Sequence, residues 1–177
     1  MSDVPVFDPE RTWAAVEARL ERESDPARKA LLAQVRDHMR SEVRGDFDTL
    51  MATLVDEPLY HFWGTDEDGG PKGREAVETF YRGMLASGGN RFHFEVERIF
   101  VDEGGVVTEG RMRQPMPGVL VAASGVREVD GEPVDPDASY LSEWQILTVW
   151  PAGPDGRLVG EDIYFGSPPM ARLRRLP

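Results

Sequence analysis

The sequence predicts an α+β protein in which N-terminal helices lie on one face of a curved antiparallel sheet. Apolar residues recur at helical spacing through roughly the first 55 residues. Short strand-like segments, separated by Gly, Pro and Asp, dominate the second half of the chain. Helices followed by a run of strands are typical of an α+β domain, because each sheet face must bury its apolar side against another layer.

Three helices are predicted at the N-terminal end. The first begins at Asp8-Pro9-Glu10 and the second at Asp25-Pro26, where an aspartate can cap the helix and a proline suits its first turn. Gly45 ends the second helix and Asp46 caps the third. His38 falls on the apolar stripe of the second helix, which consists of Leu31, Leu32, Val35, Met39 and Val43.

The rest of the chain predicts one more helix, at Gly73 to Ser87, and a set of strands. The polar segment from Thr65 to Lys72 predicts a loop. The predicted strands are Leu59 to Trp63, Phe92 to Val101, Val106 to Gln114, Tyr140 to Trp150 and Leu158 to Phe165.

The segment from Pro115 to Ser139 is too long for a hairpin loop. Its part from Asp130 to Asp137 is acidic and spaced by prolines, and it has no apolar face. Segments of this kind in compact domains are usually lids, interface elements or disordered. We therefore expect it to cover the pocket mouth or a dimer contact and not to continue the sheet.

Charge excludes several classes of partner. The formal net charge is −12 and the pI is about 4.7, so binding to nucleic acid or to an anionic membrane surface is not expected. The basic cluster Arg172, Arg174 and Arg175 predicts a solvated tail.

Cysteine is absent, which excludes disulfides, thiolate metal sites and a cysteine nucleophile. No basic-then-apolar start predicts a signal peptide, and no apolar run is long enough to span a bilayer. These observations predict a cytoplasmic protein.

Three motifs in order resemble the SnoaL-like and ketosteroid isomerase-like branch of the nuclear transport factor 2-like superfamily. They are Gly45-Asp-Phe-Asp48 before an apolar helix, the helix from Gly73 to Tyr81, and the closing strand from Gly156 to Phe165. The resemblance implies a cone-shaped, curved antiparallel sheet wrapped around N-terminal helices, the nuclear transport factor 2-like or cystatin-like α+β fold. It also divides the chain into an N-terminal extension with an extra helix at 1–25 and the domain at 26–177.

The resemblance also implies positions for catalytic groups. His61 stands where ketosteroid isomerases have their aspartate base, and His38 stands where they have the oxyanion tyrosine. Ile146 occupies the place of their protonated aspartate, so ketosteroid isomerisation itself is not expected. Gly110, Met112 and Ile163 stand where limonene epoxide hydrolases have their Arg-x-Asp pair and second aspartate, so that reaction is not expected either.

Strand alternation then predicts which side chains enter the cone. Glu161 is predicted to face an apolar cavity, where a carboxylate is costly unless it is paired or protonated; a register error of one residue would instead turn Asp162 and Tyr164 inward. The predicted catalytic residues are therefore His61, Glu161 and His38, each weighed against a purely structural role. The predicted ligand-binding residues are Tyr60, Trp63, Met112, Trp144, Ile146, Ile163 and Phe165.

The resulting prediction is a domain that binds a small, mostly apolar, oxygenated molecule in an enclosed pocket. Acid–base chemistry without a cofactor (isomerisation, dehydration or cyclisation) is one reading, and a non-catalytic ligand-binding or dimerisation module is the alternative. No histidine pair at helical spacing and no glycine-rich phosphate loop occurs, so neither a metal site nor a cofactor is predicted. Relatives of this fold commonly pair, so a homodimer is expected.

Overall fold

The computed structural model describes residues 7–64 and 67–177, and it has the predicted α+β architecture. Residues 65 and 66 of the predicted polar loop lie outside the described part. A short 3₁₀ turn at Pro9–Arg11 precedes the first helix. The helices are α1 (Ala14–Arg22), α2 (Pro26–Arg44), α3 (Phe47–Ala52), α4 (Arg74–Ala86) and α5 (Gly118–Ala123).

The helix ends are stabilised by the residues that the sequence indicated. The Asp25 carboxylate accepts hydrogen bonds from the backbone amides of Ala27 and Arg28 at the start of α2. Gly45 follows the helix with φ of 71°, a left-handed conformation that favours glycine. Asp46 then accepts from the amide of Thr49 and caps α3. These contacts fix the long helix α2, which carries His38.

The strands form one curved sheet of six and a separate two-stranded ribbon. The order in the main sheet is β1-β7-β6-β3-β2, with β8 pairing with β6, and β1 runs parallel to β7. The ribbon consists of β4 and β5. The strands are β1 (His61–Trp63), β2 (His93–Asp102), β3 (Gly105–Pro117), β4 (Glu128–Val129), β5 (Glu132–Pro133), β6 (Ser139–Pro151), β7 (Asp162–Phe165) and β8 (Leu173–Arg175).

The main core lies between the helices and the inner face of the sheet. Helices α1, α2, α3 and α4 all contribute fully buried residues to it, including Val16, Leu32, Leu50 and Val77. The predicted N-terminal extension at 1–25 therefore packs its helix into the same core, and the domain division itself stays a prediction.

The segment between β3 and β6 forms a small folded unit with its own apolar cluster. Val121 of α5, Val129 of β4 and Tyr140 of β6 are buried together, and Met116 and Leu173 pack against them. Residues 118–138 do not continue the main sheet, as predicted, but the ends of the predicted segment do, because β3 extends to Pro117 and β6 begins at Ser139. No residue of the segment lines the cavity between the helices and the sheet. The expectation of a cover over the pocket mouth was therefore wrong, because this cluster is buried against the far end of β6.

The C-terminal basic cluster is partly ordered structure. Leu173–Arg175 form β8, and Arg175 makes an ion pair of 2.7 Å with Asp135. Arg172, Arg174 and Arg175 are exposed to solvent, as predicted, but the segment is not a free tail, since Leu173 packs against the second apolar cluster. Among the described residues, no helix is long and apolar enough to cross a membrane.

The outer face of the sheet is half charged and half apolar. Strand register places Phe100, Val107 and Val149 side by side across β2, β3 and β6. Next to them, Leu147 lies beside Tyr164, which in turn lies beside Trp63. Phe100, Tyr164 and Trp63 are 62%, 44% and 38% exposed, respectively. This arrangement supports the predicted homodimer, which we propose forms through this face.

If the outer face forms a homodimer, a charge placed on it will separate the two copies. We expect Phe100→Asp to lower the mass measured by light scattering at micromolar concentration from twice the chain mass to the chain mass. Val119→Asp is a matched control, because Val119 is 58% exposed on α5 and lies off this face. A monomeric parent protein would contradict the proposal.

Gly110 lies in a crowded part of the sheet, and Gly83 in α4 has open space beside it. Alanine at each position therefore tests the packing. A Cβ at Gly110 would lie 2.0 Å from the carbonyl oxygen of Glu95, next to a register shift between β2 and β3. Gly110→Ala should therefore lower the free energy of unfolding by about 3 kcal/mol. Gly83 lies in α4 with no atom within 4 Å of an added Cβ, and Gly83→Ala should raise that free energy by about 0.5–1 kcal/mol. Urea denaturation measures both changes, and equal effects would refute the packing described here.

Candidate functional site

A cavity of about 80 Å³ lies between α2, α4 and the inner face of the sheet. Its aromatic walls come from Phe62, Phe80, Phe92 and Phe94, and Met39 of α2 closes another side. The volume corresponds to several water-sized positions and is about half that of a cavity of ~150 Å³ that binds benzene, so an organic ligand of that size requires the lining side chains to move. None of the described residues that line the cavity is Lys or Arg.

Four of the predicted ligand-binding residues line this cavity: Tyr60, Met112, Ile146 and Ile163. Glu161, one of the predicted catalytic residues, also lines it. The predicted strand alternation is confirmed at Met112, Ile146, Ile163 and Glu161, whereas the function of each residue stays a prediction.

His61 and Trp63 do not reach the cavity, so their predicted inward orientation is wrong. Tyr60 and Phe62 point into the cavity, and alternation along β1 therefore turns His61 and Trp63 to the other side. The two outward rings stack on each other with their centroids 5.3 Å apart. The aromatic segment from Leu59 to Trp63 predicts a buried strand, and the residues of this segment that line the cavity are Tyr60 and Phe62.

His61 is instead held on the surface by Asp68. Its Nδ1 lies 2.7 Å from Oδ2 of Asp68, whose other oxygen accepts from the amide of Phe62 at 2.9 Å. The Lys72 ammonium, and next the Phe62 amide, hold the pKa of the Asp68 carboxyl well below its usual range. These contacts anchor the loop after β1, and they leave His61 without access to the cavity.

Trp144 and Phe165 pack against the core but do not line the cavity. They lie on the predicted face of their strands, and their register partners Met112 and Ile146 line the cavity in their place. Strand alternation predicts which face of the sheet a side chain lies on. How far the cavity extends along a strand depends on the other elements that pack against that face. Neither residue lines the cavity, and their ligand-binding roles stay predictions.

The polar groups of the site converge on the hydroxyl of Tyr81 in α4. This hydroxyl lies 3.0 Å from Nε2 of His38, 2.8 Å from the hydroxyl of Tyr60 and 3.1 Å from Oε1 of Glu161. His38 and Tyr81 have no exposed surface, and Glu161 is 7% exposed. The Tyr81 hydroxyl therefore joins polar side chains from three other parts of the chain.

Thr53 fixes the tautomer of His38. The Thr53 hydroxyl donates to the carbonyl oxygen of Leu50 at 2.6 Å, so it accepts from Nδ1–H of His38 at 2.7 Å. Nε2 of His38 is consequently the nitrogen that faces the other polar groups. It lies 3.3 Å from Oε1 of Glu161.

One proton between His38 and Glu161 satisfies both groups. Two acceptors at 3.3 Å would repel each other, whereas imidazolium beside carboxylate, or neutral imidazole beside carboxylic acid, allows a hydrogen bond. The Tyr81 hydroxyl lies within reach of both atoms and extends this network to Tyr60. A chain of groups along which a proton can move therefore leads from Tyr60, Tyr81 and Glu161 in the cavity wall to His38 behind it.

Glu42 is the main residue that sequence reasoning missed. It lies one helical turn after His38 on α2 and lines the cavity. Its carboxyl makes no hydrogen bond or ion pair with any described residue. Burial, and next the nearby Glu161 carboxyl, raise the pKa of Glu42 well above its usual value. The signal was present in the sequence, because Val35, His38, Glu42 and Val43 share one helical face.

The two tyrosines remain neutral hydrogen-bond donors. Burial is the first cause that raises the pKa of Tyr60 and of Tyr81 well above the usual value for a phenol. The Glu161 carboxylate adds to the effect at both residues. Each hydroxyl has one hydrogen: that of Tyr81 is donated to Glu161, so that of Tyr60 is donated to the Tyr81 oxygen.

The comparisons with known proteins agree with this architecture. The model of the SnoaL-like domain matches residues 35–135, more than half of the chain, which confirms the resemblance found in the sequence. No curated protein matches the chain.

Solved structures support the same fold at low sequence identity. An LEH-like epoxide hydrolase from M. tuberculosis is 22% identical, with a TM-score of 0.54 over 79% of this chain and 85% of that one. A candidate polyketide cyclase from Xanthomonas campestris is 15% identical, with a TM-score of 0.55 over 79% and 93%. An epoxide hydrolase/cyclase-like enzyme of pyran ring formation in salinomycin is 14% identical, with a TM-score of 0.53 over 81% and 94%.

If the Tyr81 hydroxyl holds the polar cluster together, its removal will destabilise the protein. Tyr81→Phe leaves the ring in place but removes the donor to buried Glu161, so we expect a loss of about 1–3 kcal/mol in the free energy of unfolding. Tyr164→Phe is the matched control, because Tyr164 is 44% exposed on the outer face. Urea denaturation of both variants measures the difference, and equal stabilities would show that the cluster does not depend on this hydroxyl.

Proposed function

This chain is a member of the SnoaL-like domain family, and we propose that it performs acid–base chemistry on a small, mostly apolar, oxygenated molecule bound in its cavity. The proposed reaction removes a proton from a carbon next to a carbonyl or hydroxyl group. Isomerisation, dehydration and cyclisation share this step. The observation that carries the proposal is the Glu161 carboxyl on the wall of an apolar cavity, in contact with Tyr81 and His38.

Glu161 replaces His61 as the proposed base. A carboxylate in apolar surroundings gains reactivity because water does not solvate it, and proton transfer by a positioned side chain accelerates reactions by roughly 10²- to 10⁴-fold. The Tyr81 hydroxyl at 3.1 Å orients the carboxylate. His38, at 3.3 Å, is placed to exchange the abstracted proton with it.

The proposed step can be written for a ketone. Glu161 accepts a proton from the carbon next to the carbonyl, and the electron pair of that C–H bond forms the C=C bond of an enolate. The negative charge moves to the ketone oxygen, and the Tyr60 hydroxyl on the cavity wall donates a hydrogen bond to it when its hydrogen turns away from the Tyr81 oxygen. In a β,γ-unsaturated ketone the enolate is conjugated with the second C=C bond, and return of the proton to the γ-carbon gives the α,β-unsaturated isomer.

The lining of the cavity favours neutral molecules. It contains two carboxyl groups and, among the described residues, no Lys or Arg that would pair with a carboxylate or phosphate on the ligand. Its phenylalanine walls suit an apolar ring or short chain. The names of two structural neighbours, a candidate polyketide cyclase and a cyclase-like enzyme of pyran ring formation, support chemistry of this class.

Deuterium exchange tests the proposed step without knowledge of the natural substrate. Cyclopentanone and cyclohexanone are incubated with the protein in D₂O, and the loss of their α-proton signals is followed by NMR. We expect the protein to accelerate exchange, and Glu161→Gln to reduce the acceleration by at least about 100-fold, because the amide is not a base at neutral pH.

Two control variants separate the two candidate bases. His61→Gln should leave exchange within about twofold of the parent protein, since His61 lies outside the cavity. Glu75→Gln changes an exposed carboxyl on α4 in the same way and should have no effect. Exchange that persists in Glu161→Gln would refute the assignment of the base. Binding of these ketones without any exchange would instead favour the non-catalytic module.

A further inference from the structure

We propose that His38, Glu42 and Glu161 form a binding site for one divalent transition-metal ion at the polar end of the cavity. The three residues offer one imidazole nitrogen and two carboxylate oxygens, and these ligand atoms all lie within 4.8 Å of one another. The inference goes beyond the proposed function, which requires only the protein's own proton-carrying groups.

The spacing of the ligand atoms suits a single ion after a small adjustment. Metal–nitrogen and metal–oxygen bonds are about 2.0–2.2 Å long, so two neighbouring ligands of one ion lie roughly 3.0–3.5 Å apart. The distance of 3.3 Å between Nε2 of His38 and Oε1 of Glu161 falls in this range. The Glu42 oxygen lies within 4.8 Å of the other two ligand atoms, and a change of rotamer can close the remaining gap because its carboxyl has no hydrogen bond to break among the described residues.

His38 is already oriented as a metal ligand. Ligating histidines almost always donate their second ring N–H to a neighbouring acceptor, which holds the ring and its tautomer. Thr53 provides this acceptor, because its own hydroxyl hydrogen is donated to the Leu50 carbonyl oxygen. The lone pair of Nε2 then faces Glu161.

A cation would also resolve the charge of the site. Two carboxyls approach each other on a wall without Lys or Arg among its described residues, and Glu42 has no partner there. With a divalent ion, two carboxylates and a neutral imidazole give a net charge of zero. The ion would occupy the place of the proton between His38 and Glu161, while Tyr81 keeps its hydrogen bond to Glu161.

The donor set indicates the class of ion. One imidazole and two carboxylates suit Mn²⁺, Fe²⁺, Co²⁺ or Zn²⁺, whereas Mg²⁺ and Ca²⁺ prefer oxygen ligands alone. Three protein ligands leave positions open toward the cavity. An oxygen of a bound molecule can occupy such a position.

The full chain, freed of metals by a chelator, is titrated with Co²⁺, which reports a bound state in its visible spectrum, and with Zn²⁺ by calorimetry. We expect one ion per chain. Glu42→Gln should weaken binding at least tenfold, because even the loss of a hydrogen-bond partner behind a ligand typically costs 10- to 100-fold in metal affinity. Thr53→Val should weaken it by about tenfold through the lost support of His38.

Glu75→Gln is the control for ions that bind to surface carboxylates, and it should bind Co²⁺ as the parent protein does. Circular dichroism verifies that each variant is folded. Glu42→Gln is the decisive variant, because the Glu42 carboxyl makes no hydrogen bond in the described structure and its replacement should not affect folding. Absence of 1:1 binding, or equal affinity in Glu42→Gln and the parent, would overturn the proposal. Ketone exchange measured with chelator present tests the proposed function separately. If the protein does not accelerate exchange under these conditions, the proposed function fails, but the Co²⁺ titration still decides the metal site.

Discussion

The site depends on the burial of one carboxyl, that of Glu161, against the face of helix α2. A carboxylate in an apolar cavity is tolerated only with hydrogen-bond donors or a counter-charge close to it. Here these come from two separate parts of the chain, Tyr81 on α4 and His38 on α2. The sheet edge holds the backbone of Glu161, because the His61 amide donates to the Glu161 carbonyl oxygen at 2.8 Å. The helices and the sheet edge must therefore dock in one arrangement for the carboxyl to be satisfied.

The same cluster joins stability to chemistry. His38 is held from behind by Thr53, and Tyr81 is held by packing in α4 with no exposed surface. Side chains that are locked by their neighbours present reactive atoms at fixed distances, which is what acid–base or metal chemistry requires. The carboxyl of Glu42 is different, because it faces the cavity with no partner among the described residues. It is the group in this site with the most freedom to meet a ligand.

Most of the fold followed from local patterns. Asp25, Gly45 and Asp46 marked helix ends that the structure confirms, and alternation placed Met112, Ile146 and Ile163 on the cavity side of their strands. The predicted inward orientation of His61 was wrong, because a three-residue strand contains too few residues to determine which of its side chains face the core. The segment after β3 was predicted to cover the pocket mouth, and this was wrong because its apolar residues pack against Tyr140 and Leu173. Leu173 is distant in sequence, so no local pattern indicates this contact.

The sequence by itself determined the fold class, the family and the inward direction of Glu161, since helix caps, apolar periodicity and strand alternation act over a few residues. Only the tertiary structure decided which polar groups meet. Tyr81 and Glu161 are 80 residues apart in the chain, and His38 and Tyr81 are 43 apart. No local pattern encodes such contacts, because they arise when α2, α4 and the start of β7 pack together around the cavity.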